Sequence, residues 1–549
     1  MAYDMPAYEF SGEEDIKRYE CFILGTVWYP PPWVPLFVDL WYSYGQYGMQ
    51  YGPEMICEPT GKGWVWRIKD GAFYLTVNRT TEEERKAREP IWRERMTQVL
   101  DNPWFWLKLR DELKVVLEGF AAVDPEKMGD IDLASHFMDV WHSTKQQAEF
   151  HFRCMYALGQ GHNLFRTMCP ELTGIKVTDP KYATLMSGFD NEILRSNKEL
   201  AALASRALEM KLGDNLKLPD EEVIPAMEQS DAGRKWLEGF WDYLKRRGLR
   251  KRRGLEIATP TWQEKPSLAI DELKRMAAIG GVDAPGMKRE ELVKQREEAE
   301  REVLAMVPQE QREWFEKLMR CTQGSHVFSE EHQYWCEDFQ FSLVRRASIA
   351  LGKKFVEAGV MDQYEDVLYL QHGEILDGAI TRQKSNLREI AKRRKQEYDG
   401  YLKLTDQVPI FLGDPSKIPE LVVADSVFCV VAVPQVAKPE EVGATLVGAA
   451  GAPGVVEGIA RVIMTDEQWD EVQPGEILVS PYTSPTWTPL FGIIKAAVTD
   501  GGGYLAHAAI VGREYGIPAV VGTLEATRKI KTGQRIRVDG NLLRVYVIE

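Results

Sequence analysis

The apolar positions divide the chain into stretches of different period. Residues 1–80 have no clear period: TVWYPPPWVPLFVDLWYSYGQYGMQYGPEM crowds Trp28, Trp33, Phe37, Trp41, Tyr42 and Tyr47 into one segment, and Pro30, Pro31 and Pro32 break helix there. From about 81 to 245 apolar residues recur at i, i+3 and i+4, as in IWRERMTQVLDNPWFWLKLRDELKVVLEGF and LASHFMDVWHSTKQQAEFHFRCMYALG, which predicts amphipathic helices packed on one another. Beyond KRRGLRKRRG and the turn TPTWQEKP, further helices extend to about Gln383, and residues 409–424 read as loop and short strand. At VFCVVAVPQVAKPEEVGATLVGAAG the composition turns to Val, Ala, Gly and Pro. From Gly448 onward short β-runs alternate with Gly turns (VVEGIARVIM, EILVSPY, AAVTD, AVVGT, RIRVDG, LLRVYVIE), with one helix among them. The expected organisation is multidomain, α plus α/β: a mostly helical region over 1–430, a linker over 431–447, and a compact α/β domain over 448–549.

Composition narrows the function classes. Against 68 Lys and Arg stand 83 Asp and Glu, a net charge of −15, which argues against general nucleic-acid or anionic-membrane binding. Seven cysteines, never spaced as CxxC, predict neither a disulfide framework nor a structural zinc site and fit a reducing, cytoplasmic compartment. The start MAYDMPAYEFSGEED has no apolar leader run, and Val427–Val433 is far shorter than the roughly 20 residues that span a bilayer, so no membrane attachment is expected. The 16 Trp, 21 Tyr and 20 Phe are an excess. In the segment holding Trp28, Trp33 and Trp41 these rings either line the core or form a pocket for a planar, apolar acceptor.

The segment TDGGGYLAHAAIVGREYGIPAVVGT, Thr499 to Thr523, carries the chemistry. A β-run ends in Asp500, the glycines Gly501, Gly502 and Gly503 follow, and a helix is expected from about His507 to Tyr515, stopped by Gly516 and Pro518. A histidine in the first turn of such a helix meets free backbone N–H groups and the positive end of the helix dipole, both suited to a phosphoryl group. The dipole also disfavours imidazolium, leaving His507 neutral and able to attack phosphorus.

These residues resemble a known family. GAAGAPGVVEGIARV, PGEILVSPYTSPTWTPLF, DGGGYLAHAAIVGREYGIPAVVG and GQRIRVDG follow the order and spacing of the swivelling β/β/α phosphohistidine domain of the phosphoenolpyruvate synthase and pyruvate phosphate dikinase family. The resemblance implies that His507 is the phosphorylated residue. Leu505 and Ala506 depart from it, standing where many members carry Thr or Ser. No pyruvate-handling barrel follows Gly540, so pyruvate is not the expected acceptor. No GxxxxGK[ST] occurs, and Gly159-Gln160-Gly161 has Leu164 in place of a third glycine. ATP and Mg²⁺ are therefore expected mainly on a separate ATP-grasp-type subunit.

The segment RGLRKRRGLEIATPTWQEKP resembles the substrate domain of rifampin phosphotransferases through Gly248, Arg250, Glu256, Pro260, Trp262, Glu264 and Pro266. Arg250 would be a phosphoryl clamp and Glu256 part of its surroundings; the plain alternative is a solvated basic loop. In Ser329–Leu370 the end, Gly352 to Leu370, resembles the family's last substrate-domain helix and loop, and the resemblance implies that Glu330 to Tyr334 lies near the acceptor site, which offers Glu331 or His332 as the base for an acceptor hydroxyl and Arg345 as a second clamp. The alternative is a solvated Glu with His332 facing the core. His142, His151 and His162 form no recognisable metal-ligand spacing, and no metal held by side chains is expected. The whole arrangement resembles the phosphotransfer subunit of two-component aryl-phosphate synthases, which implies that phosphoryl from ATP passes through His507 to a phenol such as phenol or p-cresol, releasing AMP and phosphate. The other readings are a phosphotransferase for a bulky alcohol or antibiotic, and a non-enzymatic phosphocarrier.

Overall fold

The computed structural model describes residues 2–25, 32–251, 256–278, 289–381, 386–404, 407–424 and 439–548. They form two compact units, one of residues 1–163, 255–258 and 335–434, the other of residues 164–254, 259–334 and 435–549.

The first unit contains a sheet that the irregular pattern of residues 1–80 concealed. Strands β1 (Cys21–Leu24), β2 (Gly61–Lys69), β3 (Ala72–Arg79) and β4 (Phe411–Gly413) run in the order β2-β3-β1-β4. The hairpin β2–β3 turns at Asp70 and Gly71, both at positive φ (53° and 75°), the geometry whose twist suits a two-residue connection. Trp64, Val65, Trp66 and Ile68 are all buried, so these strands bury both faces and lose the in–out alternation that would have marked them. The aromatic segment packs here. Trp33 lies 4.0 Å from Phe73, 4.6 Å from Phe37 and 5.4 Å from Trp41 between ring centroids, and Trp41 packs on Trp66 and Phe152.

The second unit joins a helical part to the α/β domain. Helices Glu192–Glu209, Asp231–Arg247 and Ser267–Ala278 enclose Leu200, Ala204, Trp236, Phe240, Trp262 and Leu273. The first two helices start at side-chain caps, Asn191 accepting from the Leu194 N–H and Ser230 from the Gly233 N–H. The α/β domain is one mixed eight-stranded sheet, in the order β5-β12-β11-β7-β8-β9-β10-β6, formed by Leu446–Val447 (β5), Ala450–Ala452 (β6), Val455–Val462 (β7), Ile477–Ser480 (β8), Ala496–Thr499 (β9), Ala519–Val521 (β10), Arg535–Asp539 (β11) and Arg544–Val547 (β12). Strands β7 to β10 are parallel, and the flanking strands are antiparallel. The sheet begins inside the segment expected to be linker, since Val447 in β5 pairs with Arg544 in β12 and the Thr445 N–H donates to the Val545 carbonyl. Residues 425–438, the heart of that expected linker, lie outside the described residues.

Apolar clusters cover both sheet faces, one around Ile477, Val498 and Ile536, the other around Trp469, Trp487, Phe491 and Ala509 of the segments that carry the candidate site. Among the described residues no helix is long and apolar enough to cross a membrane.

Candidate phosphohistidine site

Strand β9 ends at Thr499, and the chain reverses through Asp500 and the three glycines into the histidine helix, His507–Tyr515, which Gly516 closes at φ +67°. Burial pushes the Asp500 carboxyl up to about 6, while the Thr527 backbone N–H and hydroxyl hold it. Gly502 is required by the turn: its φ is +107°, and a Cβ there would stand 2.7 Å from the Ala506 Cβ. Gly501 does not serve as the expected phosphate cradle, because its N–H donates to the Pro481 carbonyl at 2.9 Å. Among the described residues, the N–H groups of Gly502 and Gly503 donate to no backbone carbonyl.

His507 is buried, with 7% exposure. Burial alone drives its pKa down to about 3, so the ring is neutral over the physiological range, with one nitrogen bearing hydrogen and one a lone pair. Both nitrogens have partners: the Thr483 hydroxyl lies 2.9 Å from Nδ1 and the Thr488 hydroxyl 3.1 Å from Nε2. The Phe491 ring meets the imidazole edge to face at 5.6 Å. Leu505 and Ala506 leave the helix start without a side-chain cap. The hydroxyls missing beside the histidine are supplied instead by the loop after β8. Thr483 and Thr488 both stand in PGEILVSPYTSPTWTPLF, where polar residues in a loop next to the histidine strand are the available sequence signal for this role.

One face of the histidine helix packs on Arg312–His332, where the Ser329 hydroxyl donates to the Leu505 carbonyl at 2.8 Å. A small cleft between them is walled by Met186, Phe189, Ile193, Val327 and Ile510, and includes Thr488, Glu330 and Glu514. Burial and the neighbouring Glu514 raise the Glu330 carboxyl to about 8; burial raises Glu514 to about 7, although the Gly188 N–H donates to it at 3.0 Å.

The residues expected around the acceptor separate into different roles. Arg250 is buried in the second unit, its Nη1 donating to Ser196 Oγ at 2.9 Å and Asn197 Oδ1 at 3.0 Å and its guanidinium lying 4.6 Å from the Trp262 ring centroid. This is a fixed buried cation rather than a solvated loop, and among the described residues no acceptor takes its Nε or Nη2. Glu331 is held as a structural carboxylate, accepting from the Glu192 backbone N–H and from Arg195 Nη2, each at 2.9 Å. His332 directs Nδ1 at the Phe328 carbonyl at 3.0 Å, and burial lowers its pKa to about 4, so its ring is neutral and Nε2 keeps the lone pair.

Arg345 corrects the expectation of a second clamp. Its Nη1 donates to the carbonyls of Ile257 and Ala258 at 2.9 Å each, fixing the short segment in which Glu256 accepts from the Ala258 N–H. The ring pocket expected from Trp33 and Trp41 is likewise corrected to core packing, since other rings occupy their faces at 1% and 4% exposure; Trp28 lies outside the described residues.

Residues 472–542, which include His507, Thr483 and Thr488, match the PEP-utilising enzyme mobile domain, and residues 151–328 match the rifampicin phosphotransferase fourth domain. Two separate segments of the chain are thus similar to domains found in PEP-utilising enzymes and in rifampicin phosphotransferases. Its relatives include the rifampicin phosphotransferase of Bacillus subtilis, 31% identical over 58% of this chain and 36% of that protein. A probable phosphoenolpyruvate synthase of Pyrococcus horikoshii is 45% identical over 20% of this chain and 14% of its own length. Chondramide synthase of Chondromyces crocatus is 31% identical over 80% of this chain and 11% of its own length. The chain thus spans little more than a third of these relatives at most. Arg250 and Glu256 fall inside the rifampicin phosphotransferase match, whereas Glu330, Glu331 and His332 lie just beyond it.

Proposed function

We propose that this chain is the phosphotransfer component of an ATP-dependent phosphotransferase: His507 receives a phosphoryl group and passes it to the hydroxyl of a small phenol. The single observation that carries the transfer is His507 itself, a neutral imidazole at the first residue of a helix, with a threonine hydroxyl at each nitrogen. A neutral ring has the lone pair that attack on phosphorus requires, and the fixed hydroxyls spare it reorientation at the moment of reaction.

In the second half-reaction the N–P bond breaks as the acceptor oxygen forms its bond to phosphorus, and the hydroxyl proton leaves to a base. A phenolic hydroxyl titrates near 10, so such a base and a cation able to face the phosphoryl oxygens both lower the barrier. Arg250, with two donor positions unfilled by the described residues, has the chemistry of that cation. ATP and Mg²⁺ would act on a separate ATP-grasp-type subunit. Delivery between donor and acceptor would use rotation of the α/β domain, as the match to a mobile domain supports.

The phenol reading rests on the resemblance to two-component aryl-phosphate synthases. A second reading, phosphorylation of a bulky alcohol or antibiotic, is favoured by the 31% identity to a rifampicin phosphotransferase over 58% of the chain. The test is to combine the chain with candidate ATP-grasp subunits and labelled ATP, then add phenol, p-cresol or a polycyclic alcohol. Acid-labile label on His507 that phenols discharge supports the first reading, and discharge by the polycyclic alcohol alone replaces it with the second. Absence of label, or label unchanged by His507→Ala, overturns both.

A further inference from the structure

Of the two base candidates that the sequence offers, Glu331 and His332, Glu331 is committed to the start of Glu192–Glu209 and to Arg195. Its neighbour Glu330 is placed differently. Glu330 is 5% exposed and lines the cleft, and among the described residues no donor hydrogen-bonds its side chain. A buried polar group in that state is costly unless something else completes it. Met186, Phe189, Ile193, Val327 and Ile510 make one side of the cleft apolar; the space left between them, about 30 Å³, has room for one or two waters, so the carbon skeleton of an acceptor would have to part these walls to enter. Thr488 belongs to the same cleft and at the same time touches His507 Nε2 at 3.1 Å, so this one hydroxyl connects the carboxyl cleft to one nitrogen of the histidine.

We propose that this cleft is the acceptor subsite and that Glu330 is the catalytic base, taking the proton of a small apolar alcohol or phenol whose oxygen attacks, in line with the N–P bond, a phosphoryl group carried on Nε2 of His507 in the place that the Thr488 hydroxyl holds in the uncharged chain. The inference rests on the phosphohistidine reading above. In the step, the acceptor O–H gives its proton to the Glu330 carboxylate, the oxygen bonds to phosphorus, the N–P bond breaks, and its electron pair returns to the His507 nitrogen. The Thr488 hydroxyl, freed from Nε2, can donate to a phosphoryl oxygen.

Placement also suits the carboxyl to the task. The titratable and charged groups about it are His326 on its own helix, Glu514 and Tyr515 on the histidine helix, and Arg289, Arg296 and Arg513, which act on Glu514. Burial and the Glu514 charge make Glu330 a far stronger base, once ionised, than an exposed carboxylate and bring it nearer to the phenol it must deprotonate.

The experiment charges the full chain with phosphoramidate, a small-molecule phosphoryl donor, with His507→Ala as the blank, and follows discharge by phenol as a function of pH. Wild type is expected to discharge faster as pH rises through about 8, and Glu514→Gln to move that midpoint downward. Glu330→Gln is expected to charge normally and to discharge roughly a hundredfold more slowly, with Glu330→Asp recovering part of the rate. Normal charging demonstrates that each variant is folded. If His507 takes no label, the phosphohistidine reading falls and this inference with it; if Glu330→Gln charges and then discharges within twofold of wild type, the inference alone is overturned.

Discussion

The Thr488 hydroxyl stands 3.1 Å from Nε2 of His507, on the opposite side of the ring from Thr483 at 2.9 Å from Nδ1. Two hydroxyls from one loop thus do for the histidine what residues beside it in the chain cannot, because Leu505 and Ala506 have no polar side chain. Replacing either threonine by valine keeps the shape and deletes the hydrogen bond. Each variant is expected to lose about three- to tenfold in the rate of His507 phosphorylation, the value of one ordinary hydrogen bond. Imidazole ¹⁵N resonances of His507 should shift toward a tautomer mixture, and serine at either position should restore them. Unchanged resonances would remove the orienting role.

Gly502 gives a prediction about folding. At φ +107° with Ala506 in the way at 2.7 Å, Gly502→Ala combines a conformation that L-residues avoid with a steric clash. The expected loss is about 2 kcal/mol, seen as a lower unfolding midpoint together with poor charging of His507. Gly516→Ala, also at positive φ but with nothing within 4 Å of the added carbon, should cost less.

The pH dependence of stability follows from the two cleft carboxyls. Glu330 and Glu514 are raised in the folded chain to about 8 and about 7, so between an ordinary carboxyl value of 4.5 and those values the folded state holds protons that the unfolded state has released. Their contribution is fully present below the unfolded value and is lost as pH rises through 7 to 8. His507, lowered to about 3, acts oppositely: its contribution is complete above 6.5 and is lost as pH falls toward 3. Thermal unfolding midpoints are therefore expected to fall from pH 6.5 to pH 8.5, and Glu330→Gln should flatten that limb. A slope identical to wild type would contradict the buried placement of this carboxyl.

Arg250 separates charging from delivery. Its guanidinium is anchored through one nitrogen and stacked on Trp262, and lysine cannot reproduce that fork. Arg250→Lys should leave charging of His507 by phosphoramidate near wild type while slowing transfer to the acceptor about ten- to a hundredfold, read as label retained on the chain. Equal loss in both half-reactions would assign Arg250 to structure alone.

Local chemistry made the α/β domain easy to read. The Gly-rich turn, the helix start at His507 and the stop at Gly516 are each set by residues within a few positions, and the structure puts all three at the expected places. The hairpin at Asp70-Gly71 was legible in principle, yet strands buried on both faces gave no alternation to support it. Nor could the pattern distinguish Trp33 and Trp41 in a core from the same rings in a pocket, because that depends on Phe73 and Trp66 arriving from a distant turn of chain. The distinction between Glu330 and Glu331 was out of reach for a similar reason: adjacent residues on one helix point in different directions, and only the tertiary packing assigns Arg195 to one and the cleft to the other.

His507, Ile510, Val511 and Glu514 recur at helical spacing, so one face of a single short helix presents all four together. A rigid helix cannot turn its histidine toward a distant donor and leave its glutamate behind. Any excursion that carried His507 out of this packing would also bring water to Glu514 and uncover Glu330, and near neutral pH both would shed protons that the return journey must recover. Domain travel would then carry its own proton traffic, separate from that of the phosphoryl chemistry, and visible as a heat that varies with the ionisation enthalpy of the buffer.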